Sequence, residues 1–184
     1  MNSLHLKRAI HHCEQGGVIA YPTEAVFGLG CLPLLEQSVD RILQLKHRSI
    51  DKGLILVAAN IEQLEVYVDF TKVEGTQVIF DSWPGPVTWL VPAEQTTPLW
   101  LTGKHKTLAV RVSAHPIIRA LCEKLGPIVS TSANPSSAEP AKTSHEVRKY
   151  FQTGVDYVIP ANISNNLTPT EIRDAQTGNI VRSS

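Results

Sequence analysis

The chain has 184 residues, 42% hydrophobic and 18% charged, a composition that excludes a disordered segment and leaves enough length for one sizeable core. Its 17 basic and 17 acidic residues cancel, which argues against a generally sticky nucleic-acid binder. No apolar run approaches the ~20 residues of a membrane span, and Lys7 and Arg8 stand where a signal peptide would have its apolar core, so a cytoplasmic protein without a membrane partner is expected.

In chain order, Leu6, Ile10 and Cys13 recur at helical spacing within Leu4–Glu14, and Gly16-Gly17 ends that helix. Val18–Tyr21 reads as a buried strand stopped by Pro22. Glu36–Lys46 is a second helix with Val39, Ile42 and Leu43 on one face. Leu54–Ala59 is a continuous apolar run, the mark of a strand covered on both sides. A helix over Thr71–Ser82, a turn at Trp83–Pro86, and strands over Val87–Val91 and Thr107–Val112 follow. His115-Pro116 opens another helix, where proline suits the first turn. Pro127–Ser130 is a short strand, Ser132–Thr143 a mobile polar loop, and Ser144–Phe151 a helix. Asp156–Ile159, Thr170–Arg173 and Asn179–Arg182 close the series as short strands. Strands and helices interleave, so residues 1–184 are expected to form a single α/β domain, a sheet covered by helices.

Several motifs fail. Gly28-Leu29-Gly30 begins like a dinucleotide fingerprint, but Pro33 occupies the place of the third glycine. Gly103-Lys104 lacks its partner glycine, and His105 replaces the hydroxyl residue of a phosphate loop. Ser49-Ile50-Asp51-Lys52 has no companion motifs of the S-x-x-K hydrolases. His11 and His12 would point about 100° apart on a helix and cannot share a metal. Cys13, Cys31 and Cys122 form no C-x-x-C pair and read as free thiols; no metal site is expected.

Charge is nevertheless unevenly spread. Lys104, Lys106, Arg111 and Arg119 lie in a segment without Asp or Glu, and Arg41, Lys46, Arg48 and Lys52 meet only Asp40 and Asp51. Lys46 continues the apolar series of its helix, either as a lysine snorkelling from the helix end or, with Arg48 and Lys52, as part of a cationic group at the entrance of the next strand. Ser130-Thr131-Ser132-Ala133-Asn134 directly follows a strand, where ligands of open α/β sheets gather; a plain capped turn is the alternative. Pro22-Thr23-Glu24 also follows a strand, with Glu24 either an acid/base or a partner of a nearby cation. Alternation in Thr107–Val112 puts Thr107, Ala109 and Arg111 on one face, a good arrangement for gripping a carboxylate.

These segments resemble the YrdC/TsaC/Sua5 family of threonylcarbamoyl-AMP synthases. The resemblance is carried by Pro22–Gly30, Leu45–Arg48, Trp83–Pro86, Leu108–Val112 and Ser130–Asn134, in that order, and the length is that of the short TsaC type. It implies a twisted mixed sheet with flanking helices and a concave, positively charged cavity. The implied reaction converts L-threonine, bicarbonate and ATP, with Mg2+ carried on the nucleotide, to threonylcarbamoyl-AMP and pyrophosphate. The product would pass to the proteins that transfer it to tRNA, and RNA contact is a further expectation. The resemblance places the catalytic set on Lys46, Arg48, Ser132 and Asn134. It places ATP contacts on Arg48, Lys52, Thr107, Ser132, Asn134 and Arg182, and threonine contacts on Thr23, Arg111 and Thr170. Lys52 and Val57 depart from long-form members, which have asparagine and histidine there. Two rival readings are an RNA-binding module without catalysis and a related enzyme that carbamoylates another acceptor.

Overall fold

The computed structural model describes residues 3–136, 138–163 and 170–183. Among them are helices α1 (Ser3–Glu14), α2 (Glu36–Lys46), α3 (Gln77–Asp81), α4 (Leu99–Thr102), α5 (Pro116–Leu125) and α6 (Ser144–Phe151). The strands are β1 (Ile19–Pro22), β2 (Phe27–Gly30), β3 (Ile55–Ala58), β4 (Val87–Pro92), β5 (Thr107–Val112), β6 (Ile128–Ser132), β7 (Tyr157–Val158), β8 (Glu171–Asp174) and β9 (Ile180–Arg182). They form one mixed sheet in the order β7-β1-β2-β6-β3-β5-β4-β8-β9. β3 runs parallel to β5 and antiparallel to β6, and β4 runs parallel to β8.

The period-two side-chain alternation of strands divides the interior in two. Val18, Ala20, Phe27, Leu29, Leu56 and Ala58 face one way, onto Val39, Ile42 and Leu43 of α2 and Val147 and Phe151 of α6. Ile19, Tyr21, Val57 and Ile128 face the other way, onto Ala9 and Cys13 of α1 and Ile118, Leu121 and Cys122 of α5. β3 is thus covered on both sides, which is why its sequence is apolar without alternation. The helices α1 and α5 cover only part of their face. Beyond them β3, β5, β4 and β8 present Val57, Arg111, Ala109, Thr88 and Ile172 to a cavity.

Two elements escape the sequence patterns. The expected helix over Thr71–Ser82 is a short 3-10 turn at Phe70–Lys72 and the brief α3, interrupted by extended Val73 and by Gly75 at φ 69°. The strand β2 is hidden by its glycines, which have low strand propensity. They are required because the Tyr21 ring lies across them: a Cβ on Gly30 would sit 2.6 Å from the Val129 carbonyl oxygen and 2.8 Å from Tyr21 Cε1. The loop expected to be mobile over Ser132–Thr143 is tied down in its described part, Ser136 N–H donating to the Lys46 carbonyl at 2.8 Å and Ala141 N–H to that of Ala133 at 3.1 Å. Ser137 lies outside the described residues.

Gly30→Ala is expected to destabilise the fold by roughly 1–3 kcal/mol, the cost of overpacking. Gly28→Ala should cost less, since its new Cβ meets only side-chain atoms, the nearest of them on Tyr21 at 3.2 Å. Urea unfolding of both variants measures the difference.

Candidate active site

The β1–β2 hairpin closes through Thr23–Val26, where the Thr23 N–H and hydroxyl both donate to the Val26 carbonyl, at 3.1 Å and 2.6 Å. This turn brings Thr23 and Glu24 to the rim of a cavity of about 470 Å³ on the uncovered sheet face, a size suited to a small-molecule ligand. Thr107, Ala109 and Arg111 line it from β5, as their alternation predicts. Arg48 and Lys52 enter from the segment after α2, Ser132 from the end of β6, and Thr170 and Arg182 from either side of the β8–β9 hairpin. Lys46 and Asn134 stand behind this wall and are absent from the lining.

Arg111 is 5% exposed. Its Nη1 lies 3.6 Å from Glu24 Oε2, an ion pair too long for a hydrogen bond, and its Nε and Nη1 have no hydrogen-bond partner among the described residues. Buried guanidinium donors without acceptors are costly unless a ligand supplies them. Arg48 donates from Nη2 to the Gly53 carbonyl at 3.0 Å and leaves Nε unpartnered among the described residues. Arg182 donates to the Thr170 carbonyl at 2.8 Å. Burial first and then the charge of Arg182 lower the pKa of Arg48, while burial and then Arg111 lower that of Arg182. Among the described lining residues, four cationic side chains, Arg48, Lys52, Arg111 and Arg182, therefore face one carboxylate, Glu24.

Lys46 completes the site from behind. It is 4% exposed, and its Nζ donates to the Ser132 carbonyl, to the Asn134 carbonyl at 2.8 Å and to Asn134 Oδ1 at 3.3 Å. The Ser132 hydroxyl in turn donates to Asn134 Oδ1 at 2.6 Å, and Asn134 Nδ2 to the Ala138 carbonyl at 2.7 Å. One ammonium thus fixes the backbone that presents Ser132 to the cavity. Burial, and secondarily Arg48, bring it from an ordinary 10.5 to about 8.

Sequence patterns single out neither Thr88 nor Ser113. Thr88 lines the cavity with its hydroxyl fully buried and without a hydrogen-bond partner among the described residues. Its signal is a lone hydroxyl residue in the otherwise apolar run Val87–Val91. Ser113 donates to Glu24 Oε1 at 3.3 Å and accepts from His115 N–H at 3.1 Å; only the folded register brings it to the hairpin.

A helix-flanked mixed sheet with arginines lining a cavity on its open face defines an α/β protein whose candidate site lies on the sheet itself. The chain belongs to the Sua5/YciO/YrdC family: the family model Sua5_yciO_yrdC, described as telomere recombination, matches residues 11–184. It is 49% identical over 183 residues to the threonylcarbamoyl-AMP synthase of Pseudomonas fluorescens (strain Pf0-1), covering 99% of this chain and 98% of that one. To the threonylcarbamoyl-AMP synthase of Escherichia coli (strain K12) it is 52% identical over 177 residues, 95% of this chain and 93% of that one. The structure of P. abyssi Sua5 complexed with L-threonine superposes with a TM-score of 0.84 at 32% identity over 92% of this chain; the match spans 50% of the longer Sua5 chain.

Because Lys46 binds its proton less tightly when folded, the unfolded chain holds more protons between the folded value near 8 and the unfolded value of 10.5. Its contribution to stability therefore rises with pH across that window. Denaturant unfolding of wild type and Lys46→Met from pH 7.5 to 10.5 should show the difference moving in favour of wild type as pH increases.

Proposed function

We propose that the protein is a nucleotidyltransferase that converts L-threonine, bicarbonate and ATP to L-threonylcarbamoyl-AMP and pyrophosphate, the first step of tRNA threonylcarbamoyladenosine synthesis. One observation carries this reading: Arg111, a buried guanidinium with donors unpartnered among the described residues, shares a cavity with three further cations, Arg48, Lys52 and Arg182. Sequence identity of 49% and 52%, over nearly the full length, to chains named for this product supports it.

In this reading Arg111 holds the threonine carboxylate, and Thr170 and Thr23 meet the rest of the amino acid. The Thr23 hydroxyl proton is committed to the Val26 carbonyl, so Thr23 serves a ligand as an acceptor. Arg48, Lys52 and Arg182 take the phosphates, and Thr107 and Ser132 the remainder of the nucleotide. The threonine nitrogen and bicarbonate give a carbamate, which is short-lived in water. A carbamate oxygen then attacks the α-phosphorus, and the bond to the pyrophosphate oxygen breaks. Holding both reactants in one cavity makes the attack effectively intramolecular and keeps water from the carbamate. Cations along the phosphates stabilise the charge that develops on the leaving group. Lys46 and Asn134 act by fixing the end of β6 and Ser132.

Mg2+ enters with ATP as part of the substrate. Among the described residues no three His, Cys, Asp or Glu side chains gather to hold a metal, and Glu24 already faces Arg111 and Ser113. This donor set suits an ion coordinated by phosphate oxygens. The reading also takes residues 1–184 as one working domain in the cytoplasm, handing its product to tRNA-modifying partners. No helix among the described residues is long and apolar enough to cross a membrane.

Stacking of single-stranded RNA bases would need exposed aromatics. Trp83 and Trp89 are buried, and Trp100 is anchored through its indole N–H to the Pro33 carbonyl at 2.9 Å.

Pyrophosphate release from ATP should require both L-threonine and bicarbonate, and should fall sharply with L-serine. Release without bicarbonate, or none in any mixture, would overturn the synthase reading. Arg111→Gln should raise the KM for threonine by roughly 30-fold or more, the cost of losing a buried charged contact, while ATP affinity measured by calorimetry changes far less.

A further inference from the structure

The synthase reading gives no role to one group on the cavity wall. That group is Glu24, the only carboxylate among the described lining residues. It sits at the tip of the β1–β2 hairpin, half-buried, with its two oxygens in different situations. Oε1 accepts from the Ser113 hydroxyl at 3.3 Å. Oε2 faces Arg111 Nη1 at 3.6 Å, without a hydrogen bond. An α-amino acid carries its carboxylate and its ammonium on one carbon, so a residue gripping the carboxylate has the ammonium within a few ångströms. Arg111 and Glu24 have that spacing and the two required signs.

The reaction needs such a group. At neutral pH the substrate nitrogen is an ammonium without a lone pair, and it must lose a proton before it can bond to carbon. Resting on the synthase reading, we propose that Glu24 receives the threonine ammonium and acts as the general base that takes its proton. In the first step the ammonium becomes an amine and the Glu24 carboxylate becomes a carboxylic acid. The nitrogen lone pair then attacks the bicarbonate carbon. As the C–N bond forms, the C–OH bond breaks, and the proton held by Glu24 leaves with that hydroxyl as water. The second nitrogen proton goes to solvent. In sum, one ammonium and one bicarbonate give one carbamate, one water and one proton. Consumption of the amine by bicarbonate draws the transfer forward.

The other titratable groups nearby are less well placed. His115 is joined to Glu24 only through its backbone N–H and Ser113, its Nδ1 is buried without a partner among the described residues, and it does not line the cavity. Burial first lowers its pKa, with Glu24 raising it and Arg111 lowering it in turn. Tyr21 is fully buried, and desolvation holds its phenol protonated. His105 lines the cavity beyond Thr107, at the far end of β5 from Arg111. Ser113 acts as a positioning residue, orienting Oε1 so that Oε2 faces the substrate.

The test compares wild type with Glu24→Gln, which keeps shape and loses the charge, by measuring kcat/KM for threonine from pH 6 to 9.5. At pH 7 the variant should lose about 100-fold or more, within the usual range for a general base. The deficit should shrink by roughly tenfold per pH unit until solution itself supplies neutral amine. An α-aminooxy analogue with the threonine side chain, neutral at pH 7, should react almost as fast with Glu24→Gln as with wild type. Thermal melting and ATP calorimetry report whether Glu24→Gln is folded; if it is not, Glu24→Asp keeps a carboxylate and should retain the wild-type shape of the pH profile at a lower rate. A deficit below threefold, or one constant with pH and equal for the aminooxy analogue, would overturn the base assignment while leaving the synthase reading intact. Wild-type protein without threonine- and bicarbonate-dependent pyrophosphate release would overturn both.

Discussion

The ammonium of Lys46 joins the last turn of α2 to the end of β6, and much of the cavity is organised by that junction. A buried amine is expensive to desolvate unless oxygens replace its water. Here two backbone carbonyls and the Asn134 side chain do so. The contact is reciprocal, because the loop it holds turns back to serve the helix. The Ser136 hydroxyl donates to the Lys46 and His47 carbonyls at 2.7 Å and 3.2 Å, and Ser136 N–H also reaches the Lys46 carbonyl. Helix-end carbonyls that would otherwise lack partners are satisfied by the same loop that the lysine positions. His47 at φ 49° then turns the chain out of the helix, so Arg48 and Lys52 take their places relative to Ser132.

The charge arrangement on the cavity wall follows a different logic. Arg111 and Arg48 keep nitrogens in buried positions without partners among the described residues, and Thr88 adds a buried hydroxyl in the same state. In a protein interior such groups are normally satisfied. In the proposed function an anionic ligand supplies the acceptors for these donors. Because the donors sit on strands and short tight segments and not on long loops, little rearrangement is needed when a ligand arrives, the condition under which electrostatic stabilisation is most effective.

Much of this is legible in the sequence. The buried strand β3, the helix Glu36–Lys46 and the shared face of Thr107, Ala109 and Arg111 all follow from periodicity, because each is a local pattern with one burial environment. The place of Lys46 on the apolar face is readable in the same way. Its oxygens are not, since they come from residues 86 and 88 positions away. Pairings such as Ser113 with Glu24, 89 residues apart, depend on sheet register and leave no local trace. The Thr71–Ser82 segment departs from the expected helix because Gly75 at positive φ breaks the path, leaving only Gln77–Asp81 as α-helix.

The most informative difference between sequence and structure is β2. As a nucleotide fingerprint Gly28-Leu29-Gly30 fails, and as a strand it has too little propensity to be found. Its glycines become intelligible once Tyr21 is seen to lie over them, since a side chain at Gly30 would collide with the ring and with the Val129 carbonyl. With the ring seated, Tyr21 pairs with Gly28 and Pro22 with Phe27, so the hairpin must close over Thr23–Val26. That closure is short and internally hydrogen-bonded, which leaves the Glu24 side chain little freedom other than to point along the sheet toward Arg111 and Ser113. The glycines that resemble a phosphate-binding motif therefore serve the opposite end of the chemistry: they let the hairpin pack tightly enough to hold a carboxylate beside a buried arginine.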